Sequence, residues 1–161
     1  MSRKVVVLAT IHDVQGAENR PRGSFEDPEY RDVIEALVAH YSIDSIFEEA
    51  CACGPTIAEK FAKDRGLRYL DVDARAFGTE IDTEEGPFLA EENLDAQVRR
   101  EEFWVKKITK QGFGSGLMIC GYLHVFSLAV RLKDAGFAVA VHKYLPFHKF
   151  YASKELANEN E

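Results

Sequence analysis

The chain has 161 residues, 46% of them apolar and 29% charged, and carries a formal net charge of −7. A length of this order suits one domain that buries roughly two-thirds of the surface its unfolded chain exposes, and the composition excludes a disordered chain. The acidic balance argues against nucleic acid as a partner, because Lys and Arg neutralising phosphate supply most of that affinity.

Residues 1–153 read as a single α/β domain and 154–161 as a tail that frays. Met1 to Lys4 lead straight into Val5-Val6-Val7-Leu8-Ala9. That apolar run is too short for a signal peptide or a membrane span, so the expected setting is the cytoplasm, away from any membrane. Its β-branched residues predict a first strand covered on both faces. Asp27-Pro28 then starts a helix, Asp as N-cap and Pro at the first helical position, with Val33, Ile34, Leu37, Val38 and Tyr41 on one face. Ile43 to Phe47 is the second strand. Gly54-Pro55 opens a helix with the stripe Ile57, Ala58, Phe61 and Ala62, closed by Gly66 in the left-handed position. Leu67 to Val72 is the third strand.

A long polar connection follows. Within it Thr79 to Asp95 carries Glu80, Asp82, Glu84, Glu85, Glu91, Glu92 and Asp95 without a Lys or Arg, and reads either as a solvated loop or as a lid. The third helix runs from Ala96 to Lys110, the fourth strand from Leu117 to Gly121, the next helix from Leu123 to Ala135, and the fifth strand from Phe137 to Val141. Cys51, Cys53 and Cys120 are too few for a disulfide framework and point to a reducing compartment. Cys120, inside a strand, reads as a buried apolar residue rather than a nucleophile.

Strands alternating with helices give a three-layer α/β/α sandwich with a mainly parallel five-stranded sheet, and the expected strand order is 3-2-1-4-5. Ligands in such sheets bind beyond the carboxyl ends of the strands. His12 follows the first strand, Glu48 and Glu49 the second, Asp71 and Asp73 the third and His124 the fourth, whereas the strand starts carry Arg3-Lys4, Ser42, Arg68 and Ser115. The acids and histidines therefore gather on one edge. In the third helix Glu101 falls within the apolar stripe Val98, Val105 and Ile108, where a carboxylate must be paired with Arg99 or Arg100 or with a neighbouring helix, or serve a site. Gly121-Tyr122-Leu123-His124 reads as strand, tight turn and helix start, which favours a neutral imidazole suited to a base or a metal ligand.

Four stretches together resemble the superfamily that joins TraB/Tiki, erythromycin-esterase-like and ChaN-like proteins. They are Ala9-Thr10-Ile11-His12, Phe47-Glu48-Glu49-Ala50, the arginine-led helix Arg100 to Ile108, and Gly121-Tyr122-Leu123-His124. Ala9 stands where the family pattern has glycine. The resemblance implies the same α/β fold and either a hydrolase or a metal- or haem-binding protein.

The expected function is hydrolysis of a small molecule or peptide-like substrate. His12 or Glu49 would activate water, or a divalent metal held by His12, Glu48, Glu49 and His124 would do so, with Arg100 and Glu101 completing the catalytic set. One alternative is a metal- or haem-binding protein in which Tyr122 contacts the cofactor. Another is a partner-binding protein, for instance a homodimer joined through the aromatic segment 144–151. No G-x-G-x-x-G follows the first strand, and neither a P-loop nor a G-x-S-x-G elbow is present.

Overall fold

A strand whose every side chain must be covered belongs in the middle of a sheet, and two segments meet that description. β1 (Lys4–Thr10) is buried from Val5 to Thr10, and β4 (Ser115–Gly121) from Gly116 to Gly121. They lie side by side in the computed structural model, which describes residues 3–15, 28–50, 55–73 and 94–146. Between them in sequence come β2 (Ser45–Glu48) and β3 (Arg68–Asp71), and β5 (Ala138–Lys143) follows. All pairings are parallel.

The sheet order is 3-2-4-1-5 rather than the expected 3-2-1-4-5. β4 is inserted between β2 and β1, and β5 pairs with β1. Burial does not separate the two orders, which share the same edge strands, whereas one glycine contact does. β3 and β5, whose side chains are partly exposed, occupy the edges. A Cβ on Gly116 would stand 2.6 Å from the Phe47 ring, so only a glycine lets β4 settle against β2 at that level.

The helices are a single turn α1 (His12–Gln15), α2 (Pro28–Tyr41), α3 (Ile57–Arg65), α4 (Leu94–Thr109) and α5 (Val125–Asp134), the last preceded by a 3₁₀ turn over Tyr122–His124. α3 begins later than Gly54-Pro55 suggests. Thr56 is its N-cap, accepting from the Glu59 N–H, and Gly66 at φ 65° closes it as expected. α4 starts at Leu94, ahead of Ala96, and ends at Thr109. The expected Asp27 cap, Cys51 and Cys53, the acidic stretch up to Asn93, and residues 147–151 of the aromatic segment lie outside the described residues.

Two apolar layers sandwich the sheet. Val6, Leu8, Ile46, Leu117 and Ile119 face Tyr30, Ile34 and Leu37 of α2 and Ala58, Phe61 and Ala62 of α3. The alternate residues Val5, Val7, Ala9, Phe47, Met118 and Cys120 face Trp104 and Ile108 of α4 and Val125, Leu128 and Leu132 of α5. Chain leaving β1 and β2 thus passes to one layer and chain leaving β4 to the other, which follows from right-handed crossovers running in opposite directions. The carboxyl end of β4 is therefore flanked on both sides by strands whose outgoing chain covers the opposite face, a crevice of the kind that holds ligands. No described helix is long and apolar enough to cross a membrane.

Candidate active site

The registers set the site's geometry before any side chain is considered. Thr10 is level with Gly121, and Glu48 with Ile119, while the Glu49 N–H continues the ladder to the Ile119 carbonyl at 2.9 Å. His12, Glu49 and His124 therefore leave three neighbouring strands, β1, β2 and β4, at one height.

Glu49 is the hub. It is fully buried, and its Oε2 accepts from the Gly121 backbone N–H at 2.9 Å. Its Oε1 accepts from Arg100 at 2.5 Å and faces His12 Nε2 and His124 Nε2, each at 3.7 Å. Burial alone would raise this carboxyl, but His12, His124 and Arg100 beside it, with the Gly121 N–H, hold it below its ordinary value. Gly121 leaves room for His12 in this position, because a Cβ there would lie 2.9 Å from His12 Nε2 and displace the ring.

Arg100 enters the site from α4. It is wholly buried, reaches Asp73 at 3.4 Å as well as Glu49, and stacks over the Trp104 ring at 5.0 Å. It holds Glu49 from behind. Glu101, the next residue, is buried too. The expected stripe is altered accordingly, since Ile108 is buried while Val98 and Val105 are only half-buried, and Arg100, Glu101 and Trp104 complete the inward face.

Glu101 accepts from His124 Nδ1 at 2.8 Å, Ser127 Oγ at 2.7 Å and Arg131 Nε at 3.0 Å. Its ion-pair partner comes from α5, not from Arg99 or Arg100. Burial would raise the Glu101 carboxyl, and these three donors hold it low instead. His124 is thus fixed by a carboxylate on its outer nitrogen and by the edge of Trp104, ring centroids 4.9 Å apart. The 3₁₀ turn places it just before α5, which starts two residues later than the expected Leu123.

Glu48 stands apart from this convergence. Successive residues of a strand point to opposite faces, and Glu48 turns toward α3, where Thr56 Oγ donates at 2.5 Å and Tyr69 at 2.8 Å to Oε2 and Gln15 Nε2 at 3.0 Å to Oε1. Burial pushes it up to about 7 despite those donors. Asp71, on β3, is raised by burial to about 6 and accepts from the Asp73 N–H. Burial likewise raises the Cys120 thiol, which suits a packed residue rather than a reactive one.

A cavity of about 300 Å³ opens above His12 and His124, walled by Thr10, Ile11, Tyr122 and Leu123. Tyr122 is 43% exposed on its rim. Tyr144, the first residue of the aromatic segment, stacks on Tyr30 of its own core at 5.9 Å and donates its N–H to the Ala9 carbonyl. Among the described residues no group of three or more His, Cys, Asp or Glu side chains is arranged to hold a metal ion.

Reading the sequence alone singles out His12, Glu49, His124, Arg100 and Glu101, and these do meet. It passes over Gln15, Ser127, Arg131 and Trp104. The signal for them is spacing, since Gln15 is three residues beyond His12, Ser127 three and Arg131 seven beyond His124, and Trp104 four beyond Arg100, each on the same helical face as the residue it follows. Compared with protein-family models, with curated proteins and with solved structures, the chain matches none.

Proposed function

We propose that the protein is a hydrolase of a small-molecule or peptide-like substrate, in which His12, Glu49 and His124 activate water at the floor of the cavity. One observation carries this reading: two imidazole Nε2 atoms face the same Glu49 oxygen at 3.7 Å each. Such a separation is too long for a direct hydrogen bond and short enough that one water beside the three groups could reach them all. A water seated there would give a proton to one imidazole as it attacks the substrate. For His124 the charge so formed would be stabilised by Glu101, as an acid stabilises the histidine of a triad. Arg100 keeps Glu49 ionised and in place throughout. The resemblance to the TraB/Tiki, erythromycin-esterase-like and ChaN-like superfamily is part of the same proposal and agrees with it.

A divalent ion is the second reading, resting on donor type and not on distance, since these side chains as placed do not form a ligating group. Two imidazoles and a carboxylate leave a fourth position open, and each ring has its outer nitrogen engaged, by Gln15 or by Glu101, as ligand histidines do. His12, Glu49 and His124 would hold the ion, and the ion would supply Lewis acidity to bound water. Glu48 takes no part in either version.

The test is a panel of chromogenic esters, amides and phosphoesters, assayed on protein purified without chelator or affinity-column metal and analysed for bound metal. Hydrolysis should fall by about 10²-fold or more in His12→Ala and in His124→Ala. Loss on chelation with recovery on adding Zn²⁺ or Mn²⁺ selects the metal version, and indifference to chelator selects direct activation. No turnover above buffer for any substrate class, with or without added metal, would overturn the hydrolase reading.

A further inference from the structure

Gln15 occupies a position that the proposed chemistry does not by itself require. It is 1% exposed, at the end of the single turn α1, and every polar atom of its amide is committed. The nitrogen donates to Glu48 Oε1 at 3.0 Å and to the Glu49 backbone carbonyl at 3.3 Å, and the oxygen lies 2.7 Å from His12 Nδ1.

The two ends of an amide are not interchangeable here. Turned over, Gln15 would set its oxygen against a carboxylate and a carbonyl, neither of which can donate. The Glu49 carbonyl accepts at every pH. Protonation of Glu48 can be accommodated on Oε2, where the Tyr69 hydroxyl is able to turn and accept, so Oε1 remains an acceptor. The amide oxygen therefore faces His12. A ring nitrogen facing an oxygen that can only accept must carry the hydrogen.

We propose that Gln15 is a positioning residue that holds neutral His12 as its Nδ1–H tautomer, so that Nε2, the nitrogen facing Glu49 and the cavity, is the one able to take a proton. An imidazole in water favours the other tautomer, with the proton on Nε2, and that form would present a donor to the site. Glu101 imposes the same choice on His124. The two rings reach one arrangement by different means, a carboxylate in one case and an anchored amide in the other. The catalytic consequence rests on the hydrolase reading, whereas the tautomer does not.

The experiment is ¹⁵N NMR of imidazole-labelled protein across pH 6 to 9, with the His12 signals identified by their loss in His12→Ala. Wild type should show neutral His12 with its proton on Nδ1. Gln15→Met, similar in length and unable to hydrogen-bond, should move the proton toward Nε2. Gln15→Glu, which presents an acceptor to Nδ1 and in its protonated form can still donate to Glu48, should return it to Nδ1. In turnover, Gln15→Met should lower kcat by about tenfold or more with KM within about twofold, and Gln15→Glu should recover part of the loss. A wild-type spectrum with the proton on Nε2 overturns the proposal even if no variant folds. An unmoved proton in a folded Gln15→Met protein overturns it equally. The spectra require no turnover, so failure of the hydrolase reading leaves this outcome distinct.

Discussion

At the scale of single residues, the site is a set of polar groups that would be costly to bury apart and are tolerable only together. Gly121 shows how closely they are fitted. Its φ of −58° suits any residue, so Gly121→Ala should fold, yet the new Cβ would stand 2.9 Å from His12 Nε2 and 3.5 Å from Glu49 Oε2. The expected outcome is a thermal midpoint within a few degrees of wild type with the proposed hydrolysis reduced about 10²-fold, the penalty that displacing a reacting group by about an ångström would carry. Glu48 gives a second expectation, read in stability. Its folded value of about 7 lies above its ordinary 4.5, so the folded chain holds more protons than the unfolded one between those limits, and stability falls as pH rises through that window. Asp71, raised to about 6, acts in the same direction. Glu49 and Glu101 act oppositely, adding stability above the ordinary carboxyl range that is lost as pH drops through their lowered values. Urea unfolding at pH 5 and pH 8 should therefore show wild type losing more stability on the alkaline side than Glu48→Gln does, by on the order of 2 kcal/mol. Equal losses would mean that Glu48 is not held up by burial. His12, Glu49 and His124 were legible in the sequence because each follows a strand directly. Gln15 and Arg131 were not, because a polar residue on a helix declares its partner only when the turn it sits on is placed in space.

At the scale of elements, hydrophobic spacing carried most of the fold. The strand Val5 to Ala9 and the stripes on α2 and α3 declare themselves by runs and periods, and Gly66 marks its helix end. Strand order did not declare itself. Both 3-2-1-4-5 and 3-2-4-1-5 satisfy right-handed crossovers and a buried first strand, and what separates them is a contact across the sheet, Gly116 under the Phe47 ring, that no local pattern contains. Helix α4 was harder still, because its inward face includes Arg100 and Trp104 beside Glu101, while Val98 and Val105 of the stripe that periodicity picks out are only half-buried. Helix α5 offers the cleaner test of layering. Leu128 is fully buried against the sheet while Phe126 is 70% exposed. Leu128→Ala should lower stability by about 2–5 kcal/mol, and Phe126→Ser by less than about 1 kcal/mol, the lost contact being the stack of Lys143 on its ring. Denaturant melts of the two variants check this, and a larger effect at Phe126 would place α5 the wrong way round.

For the whole molecule, the sheet order has a mechanical meaning. β2, β4 and β1 are paired on both sides and carry the site, while β3 and β5 are edges. Hydrogen exchange should find the amides of β1 and β4 slowest, exchanging only by global unfolding, with those of β3 and β5 faster. Edge strands as slow as β1 would contradict the order. The same order bears on how the chain is made. β1 is synthesised first, yet both of its lateral partners, β4 and β5, come last, and β2 also waits for β4. At roughly 5–20 residues per second, the apolar run Val5 to Ala9 would emerge from the ribosome and remain without a neighbouring strand until Ser115 to Gly121 follow it out. During that interval the nascent chain exposes a bare, sticky segment of the kind that holding chaperones bind. Ribosome-stalled chains ending before Ser115 should be protease-sensitive throughout, and resistance should arise in one step only once β4 and the residues that anchor it have left the exit tunnel.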